Sequence, residues 1–317
     1  MDSIKIVGTG YAKADQLVTN DDLSKIVETN DEWIYSRTGI HNRYVNKTSN
    51  TSDLAYLASL QAIKDAKIDS KKIGLIIVAT LTPDDFTPSV ACLLQAKLGL
   101  NDQNIMAFDL NAACSGFVYS LLTASKLLEK DQYALVVGAE TLSKLVDWTD
   151  RTTCVLFGDG AGACILAYDE KSKMVGVANS QGDLDGYLIA KGVNLDSRQK
   201  GYGNITMNGT EVFKFAIQAM PQAIEDVLEK ANQKIEDIDL IIAHQANIRI
   251  LQRVSKQMNV PMDKFYVNLE QFGNTSAASI AIALATAKEE EYLKEGMKVI
   301  LVGFGGGFTY GAIYIEY

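Results

Sequence analysis

The sequence predicts an α/β fold built from two duplicated halves, and three observations carry that prediction. Short apolar runs rich in β-branched residues alternate with longer helical patterns along the whole chain. Two of these runs recur in the second half at one constant offset of 165 residues. Ile73-Gly74-Leu75-Ile76-Ile77-Val78-Ala79 resembles Ile238-Asp239-Leu240-Ile241-Ile242-Ala243, and Ala134-Leu135-Val136-Val137-Gly138 resembles Val299-Ile300-Leu301-Val302-Gly303. Between them Phe108-Asp109-Leu110 parallels Val267-Asn268-Leu269 at an offset of 159, each followed by small residues and a helical pattern. Similar elements repeated in the same order point to a duplicated unit rather than to chance likeness among apolar strings.

In chain order, strands are expected at 4–7, 73–79, 105–110, 134–138 and 163–167, then at 240–243, 265–269, 299–302 and 312–315. Runs this continuously apolar suit strands covered by helices on both faces. The pattern breaks at Asp169-Glu170-Lys171-Ser172-Lys173, which divides the chain into halves 1–170 and 171–317. No proline-rich or glycine-serine linker marks the break, so the halves are expected to pack as one body.

Composition narrows the function. With 317 residues, 47% of them hydrophobic, the chain can bury a large core. A net charge of −9 disfavours nucleic acid, whose binding rests on a basic face that neutralises phosphates. No run approaches the roughly 20 apolar residues that cross a bilayer, and the first residues lack the basic start and apolar core of a signal peptide. A cytoplasmic protein without membrane insertion is expected. Cysteines at 92, 114, 154 and 164 form no CxxC pair, which suits reduced thiols and argues against zinc. Only His41 and His244 could supply imidazole, so neither a metal centre nor a metal cofactor is expected.

The chemistry centres on Cys114, in Ala112-Ala113-Cys114-Ser115-Gly116-Phe117, where the strand at 105–110 gives way to a helix. A helix N-terminus offers unpaired N–H groups and a partial positive charge, and so favours the thiolate. The competing reading is a small buried hydrophobe. In the duplicated frame His244 ends a strand of the second half, and Asn274 follows the run matching the strand before Cys114. Strand ends are where α/β sheets gather ligands, so a pseudo-twofold relation would bring the three into one cleft. Taken singly, a histidine at a strand end and an asparagine in a Gly-Asn-Thr turn both suit structural roles. Gly305-Gly306-Gly307 and Gly8-Thr9-Gly10 lack the spacing and context of nucleotide loops. On the run after His244, Arg249, Arg253 and Lys256 fall within about 60° of one another in a helix, opposite Ile250, Leu251, Val254 and Met258. A basic stripe on an acidic chain is either a solvated face or a docking patch.

These segments together resemble a known family across nearly the whole chain. They are Thr29 through Ile40, Ala112 through Phe117, Asp147-Trp148-Thr149-Asp150-Arg151, Phe157 through Gly162, His244-Gln245-Ala246-Asn247, Gly273 through Ser279, and Gly303 through Gly307. Their order and spacing are similar to those of β-ketoacyl-acyl-carrier-protein synthase III. The resemblance implies a thiolase-like fold, duplicated αβαβα halves in five layers, and a homodimer. It implies a Cys-His-Asn set of Cys114, His244 and Asn274, where the elongating relatives use Cys-His-His; His41 belongs to the N-terminal family motif.

The implied activity is the start of fatty-acid synthesis: decarboxylative condensation of an acyl-CoA primer with malonyl-acyl-carrier protein through an acyl-Cys114 intermediate. The oxyanion hole would be the N–H groups of Cys114 and Gly306. CoA would meet Trp33, Arg37, Arg151, Lys214 and Arg249, with Trp33 and Arg151 bracketing the adenine. The carrier would dock on Lys214, Arg249, Arg253 and Lys256, and Phe86, Thr87 and Phe304 would close the acyl pocket. Thr87 stands where the family often has a bulkier residue. A starter synthase of a polyketide pathway, or a condensation-dead acyl-binding protein, are the alternatives, the latter at odds with an intact Cys-His-Asn set.

Overall fold

The computed structural model describes residues 3–192 and 203–317. In the first half the chain runs β1 (Ile4–Lys13), β2 (Gln16–Thr19), α1 (Asn20–Leu23), α2 (Asp31–Thr38), β3 (Asn42–Val45), α3 (Thr51–Ala66) and β4 (Ile73–Ala79). It continues through α4 (Val90–Lys97), β5 (Met106–Leu110), α5 (Gly116–Leu127), β6 (Tyr133–Glu140), α6 (Arg151–Cys154) and β7 (Gly160–Tyr168). Then follow β8 (Met174–Ser180), β9 (Leu188–Ala190), β10 (Ile205–Met207), α7 (Gly209–Ala231), β11 (Leu240–Ala243) and α8 (Ile248–Met258). The chain ends with α9 (Leu269–Phe272), α10 (Ala278–Glu289), β12 (Lys298–Gly305) and β13 (Thr309–Glu316).

Two sheets repeat one topology. The first is ordered β1-β7-β6-β4-β5 and the second β8-β13-β12-β11 when read from the matching edge. The parallel pair β4–β6 of the first sheet matches the parallel pair β11–β12 of the second, and every partner in the second is displaced by the same 165 residues: Leu75 faces Ala134, and Leu240 faces Val299. The fifth strand expected at 265–269 is a correction. Phe265 makes a single parallel bridge to Ile241 where β5 would stand, and Leu269 already begins α9. Asn268, Gln245 and Thr286 meet there through side-chain hydrogen bonds, so the backbone turns inward instead of extending the ladder. The opposite edge strand, β8, lies just past the expected boundary and was not expected.

Helix composition sets the layers. α5 and α10 are buried along most of their length and pack between the sheets, as suits helices apolar on nearly every face. α10 carries mostly small residues, and the glycines of the first sheet let it approach closely: a Cβ on Gly162 would lie 2.4 Å from the Ala281 carbonyl carbon. α3 and α4 cover the outside of the first sheet, while α7, with α8 packed beside it, covers the second. The result is αβαβα in five layers, with the sequence duplication visible as two equivalent sheets around a shared central helix pair. No helix among the described residues is long and apolar enough to cross a membrane.

Candidate active site

Cys114 stands at the end of β5 on a tight 3₁₀ turn, Ala113–Ser115, that leads into α5. Ala113 adopts φ +45°, a left-handed conformation that costs a residue with a side chain about 1–3 kcal/mol and is kept where the surroundings enforce it. The enforcement comes largely from the other half of the chain. Ser115 Oγ donates to the Thr309 carbonyl at 3.0 Å, Thr309 Oγ1 donates to the Ala112 carbonyl at 2.9 Å, and the Ala113 N–H donates to Asn111 Oδ1 at 3.1 Å. The sulfur is thereby fixed against β12, where a Cβ on Gly305 would lie 2.6 Å from the Cys114 Cβ.

His244 follows β11 and Asn274 follows α9, and both line the same cavity of about 130 Å³ as Cys114 and Phe304. The three residues singled out in the sequence are brought together. His244 is 2% exposed, with Phe304 edge-on at a centroid separation of 5.2 Å. Burial lowers the imidazole pKa to about 3, so the ring is neutral at physiological pH. Asn274 accepts the Ser276 N–H through Oδ1 at 2.9 Å, which leaves its amide NH₂ as the group offered to the cavity.

Burial opposes the ready thiolate expected at Cys114. It pushes the thiol up to about 11, and the Ser276 hydroxyl, with the N–H groups of Cys114 and Gly306 that face the sulfur, offsets this only in part. Desolvation of a charge in a nearly closed site outweighs the dipole of a helix that starts two residues later. Beneath the site lies Glu140, fully buried at the end of β6 and not anticipated from sequence. It accepts hydrogen bonds from Thr80, Leu81 and Thr82, and burial raises its pKa to about 7.

A second cavity of about 310 Å³ opens on the other side of Cys114, walled by Leu81, Leu142, Phe157, Leu188, Ala190 and Ile205. No sequence pattern marks this apolar wall, whose members are scattered over the chain. Within the single chain none of the residues expected to close the acyl pocket lines the larger cavity. Phe304 packs on the His244 side, not in the larger cavity. Phe86 and Thr87 sit on an exposed loop, and Phe86 lines a neighbouring hollow that shares Leu81 and Ala190 with the larger one.

Of the expected CoA and carrier residues, Trp33, Arg37, Arg151 and Arg249 are drawn together around α2. The Trp33 ring carries the Arg37 guanidinium at 4.6 Å and that of Arg151 at 4.7 Å. Arg151 therefore rests on the indole instead of flanking a gap, so the bracketing expected for an adenine requires that guanidinium to withdraw from the ring. Arg249 donates to the Ser36 carbonyl at 2.8 Å, which joins α8 to α2. Lys214 pairs with Glu211 at 2.7 Å, one residue beyond Phe213, which lines the smaller cavity. Arg253 and Lys256 are exposed on α8, whose Ile250, Leu251 and Val254 are buried. His41 is engaged elsewhere, its Nδ1 2.7 Å from Asp31 and its ring stacked on Tyr35 at 3.9 Å. Among the described residues no group of three or more His, Cys, Asp or Glu side chains could hold a metal ion.

Comparison with known proteins shows the family. Family models of 3-oxoacyl-(acyl-carrier-protein) synthase III match residues 108–184, and residues 228–317 for its C-terminal part. The chain is 47% identical over 325 aligned residues to β-ketoacyl-acyl-carrier-protein synthase III of Clostridium acetobutylicum, covering 100% of this chain and 99% of that one. This chain belongs to the β-ketoacyl-acyl-carrier-protein synthase III family. The synthase III of Acholeplasma laidlawii is 50% identical over 99% of this chain and 98% of its own length. The crystal structure of the synthase III from Aquifex aeolicus superposes with a TM-score of 0.93 at 43% identity, covering 99% of this chain and 100% of that one. Synthase III membership makes the chain an acyl-transferring condensing enzyme of the thiolase fold.

Proposed function

We propose that the chain condenses an acyl-CoA primer with malonyl-acyl-carrier protein through an acyl-Cys114 intermediate, the first condensation of fatty-acid synthesis. The observation that carries this reading is the position of Cys114 between two cavities. The larger, apolar one suits an acyl chain, and the smaller one holds His244 and Asn274.

In the first step Cys114 Sγ attacks the thioester carbonyl, the bond to the CoA sulfur breaks, and the thiol proton ends on the departing CoA. The oxyanion lies between the N–H groups of Cys114 and Gly306, each such donor contributing roughly 10²–10³ in rate. In the second step the malonyl carboxylate leaves as CO₂, and its bonding electrons pass into the thioester as an enolate. His244 through a ring N–H and Asn274 through its amide stabilise that oxygen. The carbon then attacks the acyl-Cys114 carbonyl, the C–S bond breaks, and water reprotonates the thiolate. No step calls on a metal or a redox cofactor.

Trp33, Arg37, Arg151, Lys214 and Arg249 serve CoA on this reading, and Lys214, Arg249, Arg253 and Lys256 draw in an acidic carrier. A homodimer is supported by β5, an edge strand with Met106 57% exposed, next to the exposed Phe86–Thr87 loop that a second copy would bring to the acyl pocket. The halves 1–170 and 171–317 are two units of one duplicated body, and the location is cytoplasmic. Offering acyl-CoAs of graded length and branching together with malonyl-carrier protein tests the reading: a β-ketoacyl-carrier product and CO₂ are expected. Acyl-CoA hydrolysis without carbon–carbon bond formation would reject it.

A further inference from the structure

Ser279, in the first turn of α10, is 2% exposed, and its hydroxyl lies 2.6 Å from His244 Nδ1 and 3.4 Å from the Gln245 nitrogen. Among the described residues neither the hydroxyl nor the imidazole has another hydrogen-bond partner. A hydroxyl owns one proton and two lone pairs. The Gln245 N–H can only donate, so Oγ accepts there. If Nδ1 also carried a proton and donated, the hydroxyl proton would be stranded in the interior, which is disfavoured by about one to two orders of magnitude. If instead the hydroxyl donates to Nδ1, every group is satisfied, and the single ring proton of the neutral imidazole must sit on Nε2. Nε2 is the ring nitrogen left for the Cys114 cavity, which the ring lines.

We propose that Ser279 is a positioning residue that holds His244 as its Nε2–H tautomer, so that the ring offers a donor, not a lone pair, to the malonyl thioester oxygen. The consequence is directional: His244 serves decarboxylation and cannot act as the base that deprotonates Cys114. This inference rests on the enolate-donor role proposed for His244 above, and its test has a readout separate from activity.

The test is ¹⁵N NMR of the imidazole nitrogens at pH 7.5, where only two histidines contribute and His244→Ala assigns them. The expected spectrum for the native protein has His244 protonated at Nε2 alone. Ser279→Ala should show both tautomers, with condensation slowed at least tenfold and acylation of Cys114 by acyl-CoA changed less than twofold. Ser279→Thr, which keeps the hydroxyl, should restore the single tautomer and most of the rate. An Nδ1–H tautomer in the native protein would overturn the proposal, as would a Ser279→Ala variant that keeps Nε2–H alone. Should Ser279→Ala not fold, the native and Ser279→Thr spectra decide the matter. A native protein with the Nε2–H tautomer but no condensation would count against the proposed reaction and leave the tautomer assignment standing.

Discussion

Gly305 and Cys114 are in direct contact across the two halves: a Cβ built on Gly305 would lie 2.6 Å from the Cys114 Cβ and 3.0 Å from its sulfur. Gly306, its neighbour, is open by comparison, since the nearest atoms a Cβ there would meet are those of Leu188 at 3.5 Å. The prediction is a sharp contrast between adjacent glycines. Gly305→Ala should cut acylation at least 100-fold and cost about 1–3 kcal/mol in stability by overpacking. Gly306→Ala keeps its N–H and should retain most activity and stability. Single-turnover acylation and denaturant midpoints check both, and equal losses at the two positions would contradict the geometry.

The raised thiol pKa has a kinetic signature. With a value of about 11, only about one Cys114 in ten thousand is thiolate at pH 7. Alkylation of Cys114 by iodoacetamide, followed by peptide mass, should rise about tenfold per pH unit from pH 6 to pH 9. A plateau below pH 8 would restore the helix-dipole expectation.

Buried His244 links stability to pH. Its folded pKa of about 3 lies below the unfolded value near 6.5, so the unfolded chain binds the extra proton between them. The stability this site contributes is fully present above about pH 6.5 and is lost as pH falls toward 3. His244→Gln should flatten that part of a urea-denaturation series taken from pH 7 to pH 5. An unchanged pH slope in the variant would show that the imidazole is solvated.

On α8, Arg253 and Lys256 are exposed, and neither lines the cavities at Cys114. Reversing both, Arg253→Glu with Lys256→Glu, should raise the KM for malonyl-carrier protein about tenfold at low salt, with acylation by acyl-CoA changed less than twofold. A KM insensitive to the reversal at low ionic strength would remove α8 as the docking face.

Much of this molecule is legible in its residues because duplication leaves a sequence echo. The 165-residue offset between Leu75 and Leu240 reappears as an identical strand register. β8 is hard to read because Met174-Val175-Gly176-Val177-Ala178-Asn179-Ser180 is apolar only in its first half and turns polar, as befits an edge strand; the signal for it is the duplicated frame, which lacks a counterpart for β1. Phe265 misled in the opposite sense, since an apolar run cannot reveal that Asn268 is held inward by Gln245 and Thr286. Chemistry tied to local motifs, at Cys114, His244 and Asn274, was readable. Properties set by desolvation and by distant packing were not: the thiol pKa, the buried Glu140 and the Leu142–Phe157–Ile205 wall all depend on neighbours far away in the chain.

The most direct test of the acyl-enzyme is intact-protein mass after brief exposure to acyl-CoA without malonyl-carrier protein. One acyl adduct is predicted on the native protein, on His244→Ala and on Asn274→Ala, and none on Cys114→Ala. An adduct that persists on Cys114→Ala would contradict the account at its centre.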